Sequence, residues 1–298
     1  MRLVPGVTLV RADEVLHAPE NLWQSARGGS GDYFDAVNDS YRQLKQVFAV
    51  PDLAAGFRST AYWHLLAVGQ PLRETRHTQD PDVARGWVTS RRAFNNTVNT
   101  ELDDQLLVLA QARVELERLK VLACRPGLPV VLDTNMLNHW RRPDDVAWPE
   151  VLRNWGETVK LARVVVPLRV VDELDGQKYS EGKALRSRAT RAIEYLRETL
   201  AGGEPGQPAE LRNGATLEIW IDTDDRGGDA DLAILQCASD LDALHPGTGA
   251  RVLTGDLGMQ LRGEQAGLRV RCLPETYRKV SEPTVSAAAT GVLQPGGS

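Results

Sequence analysis

Four acidic residues stand where a sequence of this kind can do chemistry. Asp133 directly follows the apolar run Val130–Leu132, and Asp256 lies just past a second run at Val252 and Leu253. Glu173 falls one to two turns into a helical segment that begins after a third run, Val164–Val166. Asp231 opens a helical segment after the acidic stretch that starts at Asp222, with Asp229 two residues before it. A lone Asp is most often a helix cap or a turn residue. Four acids that each follow a strand are different, because ligands of an open α/β sheet bind beyond the carboxyl ends of its strands. Carboxylates gathered there repel one another, and their charged form is costly unless a cation offsets it. A divalent ion in such a site polarises a phosphoryl oxygen and lowers the pKa of water.

The other metal-binding residue types do not compete. Cys124, Cys237 and Cys272 show no C-x-x-C spacing, and the five histidines are scattered without an H-x-x-x-H pair. Carboxylate ligands point to a hard cation, Mg²⁺ or Mn²⁺. The same cysteine usage suits a reducing cytoplasm, the expected location. Asp222–Gly227 hints at a calcium loop, but Arg226 takes a ligand position and Ala233 stands where the closing Glu belongs. No G-x-x-x-x-G-K-[ST] motif occurs, so no nucleotide cofactor is expected. A haloacid-type phosphatase would have Asp at 135, where this chain has Asn. No G-x-S-x-G or G-x-G-x-x-G sits between a strand and a helix, which disfavours a serine hydrolase or a dinucleotide enzyme.

The elements that must position these acids follow from the pattern. After Arg125-Pro126-Gly127, short apolar runs at 129–132, 164–166, 216–221, 251–253 and 268–273 alternate with helical stretches near 148–162, 168–178, 182–201, 229–243 and 257–266. Five strands separated by helices imply an α/β fold with a parallel sheet covered on both faces. Residues 1–125 read as all-helical instead, with amphipathic stretches over 32–50, from Pro51 through Leu66, and over 80–124. Gly69–Pro71 reads as a break and Arg27–Gly31 as a flexible joint. The division expected is a helical domain over 1–125, an α/β domain over 128–280 and a flexible tail over 281–298. The 298 residues suffice for two cores. No apolar run reaches transmembrane length, and the amino terminus does not read as a signal peptide.

The net charge of −5 carries no global signature of a nucleic-acid binder. Its excess of acid falls wholly after residue 125, and there a basic stretch around Lys178, Lys183, Arg186, Arg188, Arg191 and Arg197 contrasts with the Asp222–Asp231 acids. Lys178, Arg186, Arg188 and Arg191 are candidates for contacts to a polyanion backbone, weighed against an ordinary solvated face. For Arg191 a structural partner such as Asp172 or Glu194 is the competing reading. The seven tryptophans can stack on bases, but most are assigned to the core.

Taken together, Val130–Asn135, Val166 with Pro167, Val171–Asp175, Asp231–Ala238 and Leu253–Asp256 resemble, in order and spacing, a PIN domain. The pattern from Glu173 to Lys178, followed by Ser187–Ile193, is most similar to PIN domains joined to phosphate-starvation-type ATPases. The resemblance spans about 128–280 and implies a three-layer α/β/α fold and a metal-dependent nuclease acting on single-stranded RNA. It implies that Asp133, Glu173, Asp231 and Asp256 are the acidic quartet that binds Mg²⁺ or Mn²⁺, with Asp229 as a further candidate. Asn135 and Thr254 match supporting positions. Cleavage would leave 5′-phosphate and 3′-hydroxyl ends. The alternatives are a non-catalytic RNA- or protein-binding module and a toxin-type ribonuclease, which the added helical half makes a poor match. The N-terminal helices are expected to bind a protein partner or to mediate self-association.

Overall fold

The computed structural model describes residues 3–4, 7–27, 30–74, 80–204, 206–221 and 229–279. The expected tail, most of the 222–231 acidic stretch and the centre of the 27–31 joint lie outside the described residues.

Helices come first. They are α1 (Leu9–Ser25), α2 (Ser30–Leu44), α3 (Val50–Phe57), α4 (Thr60–Glu74) and the 43-residue α5 (Pro81–Ala123). Asp80 caps α5, its carboxylate accepting the Asp82 N–H at 2.9 Å. The helices close round a core of their own built on Leu16, Trp23, Tyr33, Phe57, Leu102 and Leu109. Two features differ from the sequence pattern. The amphipathic stretches read from sequence begin at 32, yet Ala12, Val15, Leu16, Pro19 and Trp23 form the buried stripe of α1. Gly69 does not break α4 but packs against the first half of α5, where an added Cβ would stand 3.0 Å from the Phe94 ring.

Beyond α5 the chain builds a sheet with strand order β3-β4-β2-β1-β5-β6. Its strands are β1 (Leu128–Leu132), β2 (Ala162–Pro167), β3 (Ala209–Leu211), β4 (Ala215–Trp220), β5 (Arg251–Leu253) and β6 (Arg269–Arg271). Every residue of β1, β2 and β5 is buried, as parallel strands covered by helices must be. The helices are α6 (Thr134–His139), α7 (Trp148–Asn154), α8 (Leu168–Gln177), α9 (Lys183–Leu200), α10 (Ala230–Leu244) and α11 (Leu257–Gln265). The fold is thus α/β, with a mostly parallel sheet flanked by helices after an all-helical region.

The expected five parallel strands become six, because β3 pairs antiparallel with β4 in the register Ala209↔Leu217. Asn213 and Gly214, at φ 62° and 72°, make the turn that joins them. The helix expected over 148–162 stops at Asn154, since Gly156 at φ 80° ends it and leaves room for β2. The short α6 had no periodicity long enough to announce it.

The chain reverses its direction of travel at β1. It runs outward through β2 to β4, and α10 then returns it to β5 on the far side of β1. The gap between the carboxyl ends of β1 and β5 is therefore the switch point of the sheet.

At the opposite end of the sheet sits a buried ion cluster. Arg163, fully buried at the start of β2, donates to Glu218 of β4 and to the Leu122 carbonyl of α5 at 2.8 Å. Arg125 donates to the other oxygen of Glu218. Gly127 (φ 104°) threads past this cluster, with room for no side chain: a Cβ would lie 3.1 Å from the Leu161 carbonyl. The boundary expected near 126–127 would cut through this joint. Removing Glu218 strands two guanidiniums, one wholly buried. Glu218→Ala should destabilise the full chain by about 3–5 kcal/mol in urea unfolding, and Glu218→Gln by less. A change below about 1 kcal/mol in the Ala variant would show that the cluster does not tie α5 to the sheet.

Candidate active site

Asp133 ends β1 and caps α6 in one step. Its Oδ1 accepts the Met136 N–H at 2.8 Å, and its Oδ2 accepts the Thr254 hydroxyl from the end of β5. The strand register explains the meeting. Leu132 pairs with Leu253, and the Asp133 N–H bonds the Leu253 carbonyl at 3.2 Å, so the next residue on each strand falls opposite the other. Thr254 is fully buried, and its hydroxyl also accepts the Asp256 N–H at 2.9 Å. One hydroxyl thus orients one acid through its proton and the next through its lone pair. Asp256 in turn caps α11, its Oδ1 taking the Met259 N–H at 2.8 Å.

Glu173 reaches the same edge from the second turn of α8. Thr134, the neighbour of Asp133, donates to its Oε2 at 2.6 Å, and Gln177 donates to its Oε1 at 3.1 Å. Asp231 sits in the first turn of α10 and is ion-paired with Arg262 of α11. Asp229 is the cap of α10 and accepts the Asp231 N–H at 3.2 Å. Asn135 is exposed in the first turn of α6, where its backbone N–H, not its side chain, serves Asp133.

The electrostatics single out Asp133. Burial pushes its carboxyl above the usual range, hydrogen bonds from Thr254, Met136 and Asn135 pull against that, and the Asp231 charge adds to the rise. A carboxylate in this position gains from a cation close by. The candidate ligands Asp133, Glu173, Asp231 and Asp256 are all carboxylates, which suits a hard divalent ion. Among the described residues no group of three His, Cys, Asp or Glu lies close enough together to hold a metal. The structure joins Asp133, Thr254 and Asp256 directly, links Glu173 through Thr134, and brings Asp231 near enough for its charge to be felt.

The four basic candidates separate. Lys178 pairs with Asp175 at 2.7 Å, and Arg186 donates to the Ser180 carbonyl at 2.9 and 3.1 Å. Arg191 turns to the Ser187 carbonyl at 3.3 Å, not to Asp172 or Glu194, and Arg188 meets His139 Nδ1 at 3.1 Å. Trp23, Trp140 and Trp148 are core, Trp155 and Trp220 pack against it, and Trp63 is exposed. Thr134, Gln177 and Arg262 were not singled out from sequence. Thr134 was legible as the middle of Asp-Thr-Asn, whereas nothing along the chain marks Gln177 or Arg262.

No curated protein matches the chain. Among solved structures, a domain of a functionally unknown protein from Methanocaldococcus jannaschii DSM 2661 is similar at 18% identity. The match covers 55% of this chain and 99% of that one, with a TM-score of 0.31. The family model described as the PIN domain matches residues 130–273, from within the first buried strand to just past the last. Residues 130–273 are therefore a PIN domain, of a family made up mostly of nucleases.

Proposed function

We propose that residues 128–280 form a metal-dependent endoribonuclease unit that hydrolyses phosphodiester bonds of single-stranded RNA. The observation that carries this reading is the Thr254 hydroxyl coupling Asp133 to Asp256 across the switch point, beside Glu173 and Asp231. PIN-domain nucleases typically use divalent ions. Asp133, Glu173, Asp231 and Asp256 would hold Mg²⁺ or Mn²⁺, with Asp229 as a further ligand. A cation bound there polarises the phosphoryl oxygen and lowers the pKa of water.

The chain's own residues supply position and proton control. Thr254 and the amino terminus of α6 fix both oxygens of Asp133 and leave lone pairs open on each. Thr134 and Gln177 do the same for Glu173, which makes it the candidate to orient the attacking water or take its proton. Arg262 neutralises Asp231 and keeps it at the mouth of the site. We place the protein in the cytoplasm, in keeping with Cys124, Cys237 and Cys272, which are all free thiols. Among the described residues no helix is long and apolar enough to cross a membrane.

Incubating the full chain with labelled single-stranded RNA or DNA, in Mn²⁺, Mg²⁺ or EDTA, tests the reading. RNA should be cut only when metal is present, and Asp133→Asn should abolish cutting. Thr254→Val removes a supporting hydroxyl and should slow cleavage by ~10–100-fold. Binding without cleavage under every condition would replace the nuclease with a non-catalytic module.

Burial of Asp133 also predicts a pH dependence. Its folded-state pKa lies above the unfolded value, so the ionised carboxylate weakens folding once the pH passes the usual carboxylate range. Asp133→Asn should therefore melt at a higher temperature than wild type at pH 7 in EDTA. The gap should close as the solution is acidified below that range, where the carboxyl is neutral in both states. Melting curves that differ by the same amount at both extremes would contradict this account.

A further inference from the structure

A second charged centre lies at the far end of α6 from the acids. Arg188 reaches from α9 to His139 Nδ1 at 3.1 Å. Lys279 arrives from the segment after β6, and its Nζ donates to the Leu137 and Asn138 carbonyls at 2.9 and 3.3 Å. Its backbone N–H is tied to the His139 carbonyl at 2.9 Å, and Trp140 bridges to Arg278. Arg142 is held over the buried Tyr195 ring of α9 at 5.3 Å. Arg191 lies within electrostatic reach of Lys279.

This cluster is under-neutralised. Among the described residues no carboxylate comes within ion-pair distance of Arg142, Arg188, Arg191 or Lys279. Glu275 is spent on Arg278 at 3.4 Å, and Asp144 lies on the side of Tyr195. The mutual repulsion is felt by the groups themselves. Burial and then the charges of Arg191, Arg142 and Arg188 push Lys279 down to about 8. Burial and then Arg188, Lys279 and Arg278 lower His139. Among the described residues these like charges meet without a carboxylate counter-ion, and a bound polyanion would relieve that cost.

From this geometry we infer that Arg142, Arg188, Arg191 and Lys279, gathered round His139, form a binding site for the phosphodiester backbone of a single-stranded nucleic acid. The site stands off from the acids by the length of α6, roughly 9 Å for the six helical steps from Asp133 to His139. A continuous contact chain joins the two, through Glu173 to Gln177 and from Gln177 to Asn138 at 2.8 Å. The site would hold the strand beside the bond to be cut, contacting phosphates and no bases, and so would bind sequences alike. Of the basic stretch read from sequence, Arg188 and Arg191 belong to it, while Lys178 and Arg186 are engaged elsewhere. The inference rests on the nucleic-acid reading above but not on catalysis.

Metal-free binding keeps the two apart. Fluorescence anisotropy of labelled 20-mer single strands of mixed sequence, in EDTA across a chloride titration, reads the site without any cleavage. The full chain should bind RNA and DNA, with affinity falling as salt rises. Arg142→Ala with Arg191→Ala should weaken every sequence alike by about tenfold and reduce the log–log salt slope by about 1.4, two phosphates at ~0.7 each. Arg92→Ala with Arg118→Ala removes the same charge from exposed positions of α5, in the helical region, and should change nothing. Arg142→Lys with Arg191→Lys keeps the charge and should restore the slope. Wild-type failure to bind, an alanine variant with an unaltered slope, or a lysine variant as weak as the alanine one would each overturn the inference. Loss of binding in the alanine variant, in a chain that never cuts RNA with any metal, would retain the site and discard the nuclease.

Discussion

A carboxylate buried at the end of a central strand is the constraint on which the rest of this site depends. Asp133 cannot sit between β1 and β5 as a bare charge, because burial penalises the ionised form. Three donors answer that penalty, the backbone N–H groups of Met136 and Asn135 and the Thr254 hydroxyl. Each comes from an element whose placement is otherwise arbitrary. The amino terminus of α6 must turn at Asp133, β5 must lie in register with β1, and the residue after Leu253 must carry a hydroxyl. The return of the chain by α10 to the far side of β1 is what brings that hydroxyl into reach.

The two ends of the sheet resolve the problem of buried charge in opposite ways. At the amino end, Arg163 and Arg125 share Glu218, and Arg251 is clasped by both oxygens of Glu157 at 2.7 and 2.6 Å. Those charges are matched internally, and they fix where the strands begin and where α5 ends. At the carboxyl end the acids are oriented by hydroxyl and amide groups, and Arg262 on Asp231 is the one cation paired with them among the described residues. Matched charge makes structure, whereas charge that is oriented but left unmatched makes a place for an ion or a phosphate. The basic cluster round His139 falls in the second class with the sign reversed.

The α/β half was largely legible along the chain because its strands are short, fully apolar and punctuated by acids. What escaped was local or long-range in a way that periodicity does not carry. The hairpin of β3 is three residues long and is announced only by Asn213-Gly214. Helix α6 has six residues, fewer than two turns. The acids could be placed at one edge from the strand pattern, but their partners Thr134, Gln177 and Arg262 come from other elements and carry no spacing signal. Arg163 and Glu218 carry no such signal either, since a buried ion pair and a solvated one look alike in sequence. The basic residues read from sequence form a run, and a run along the chain is not a patch in space. Arg188 and Arg191 find Arg142 and Lys279 only after folding.

The length of α5 has a mechanical consequence. A continuous helix of 43 residues measures about 65 Å, more than the width of an ordinary domain. Its last turn is bolted to the sheet by the Leu122 carbonyl and Arg125, and its middle is embedded in the other core through Leu102 and Leu109. Such a rod transmits torque and resists bending. Whatever grips its outer end holds the acids at a set standoff and a set azimuth, as a boom holds a tool, and the site can be aimed without being touched.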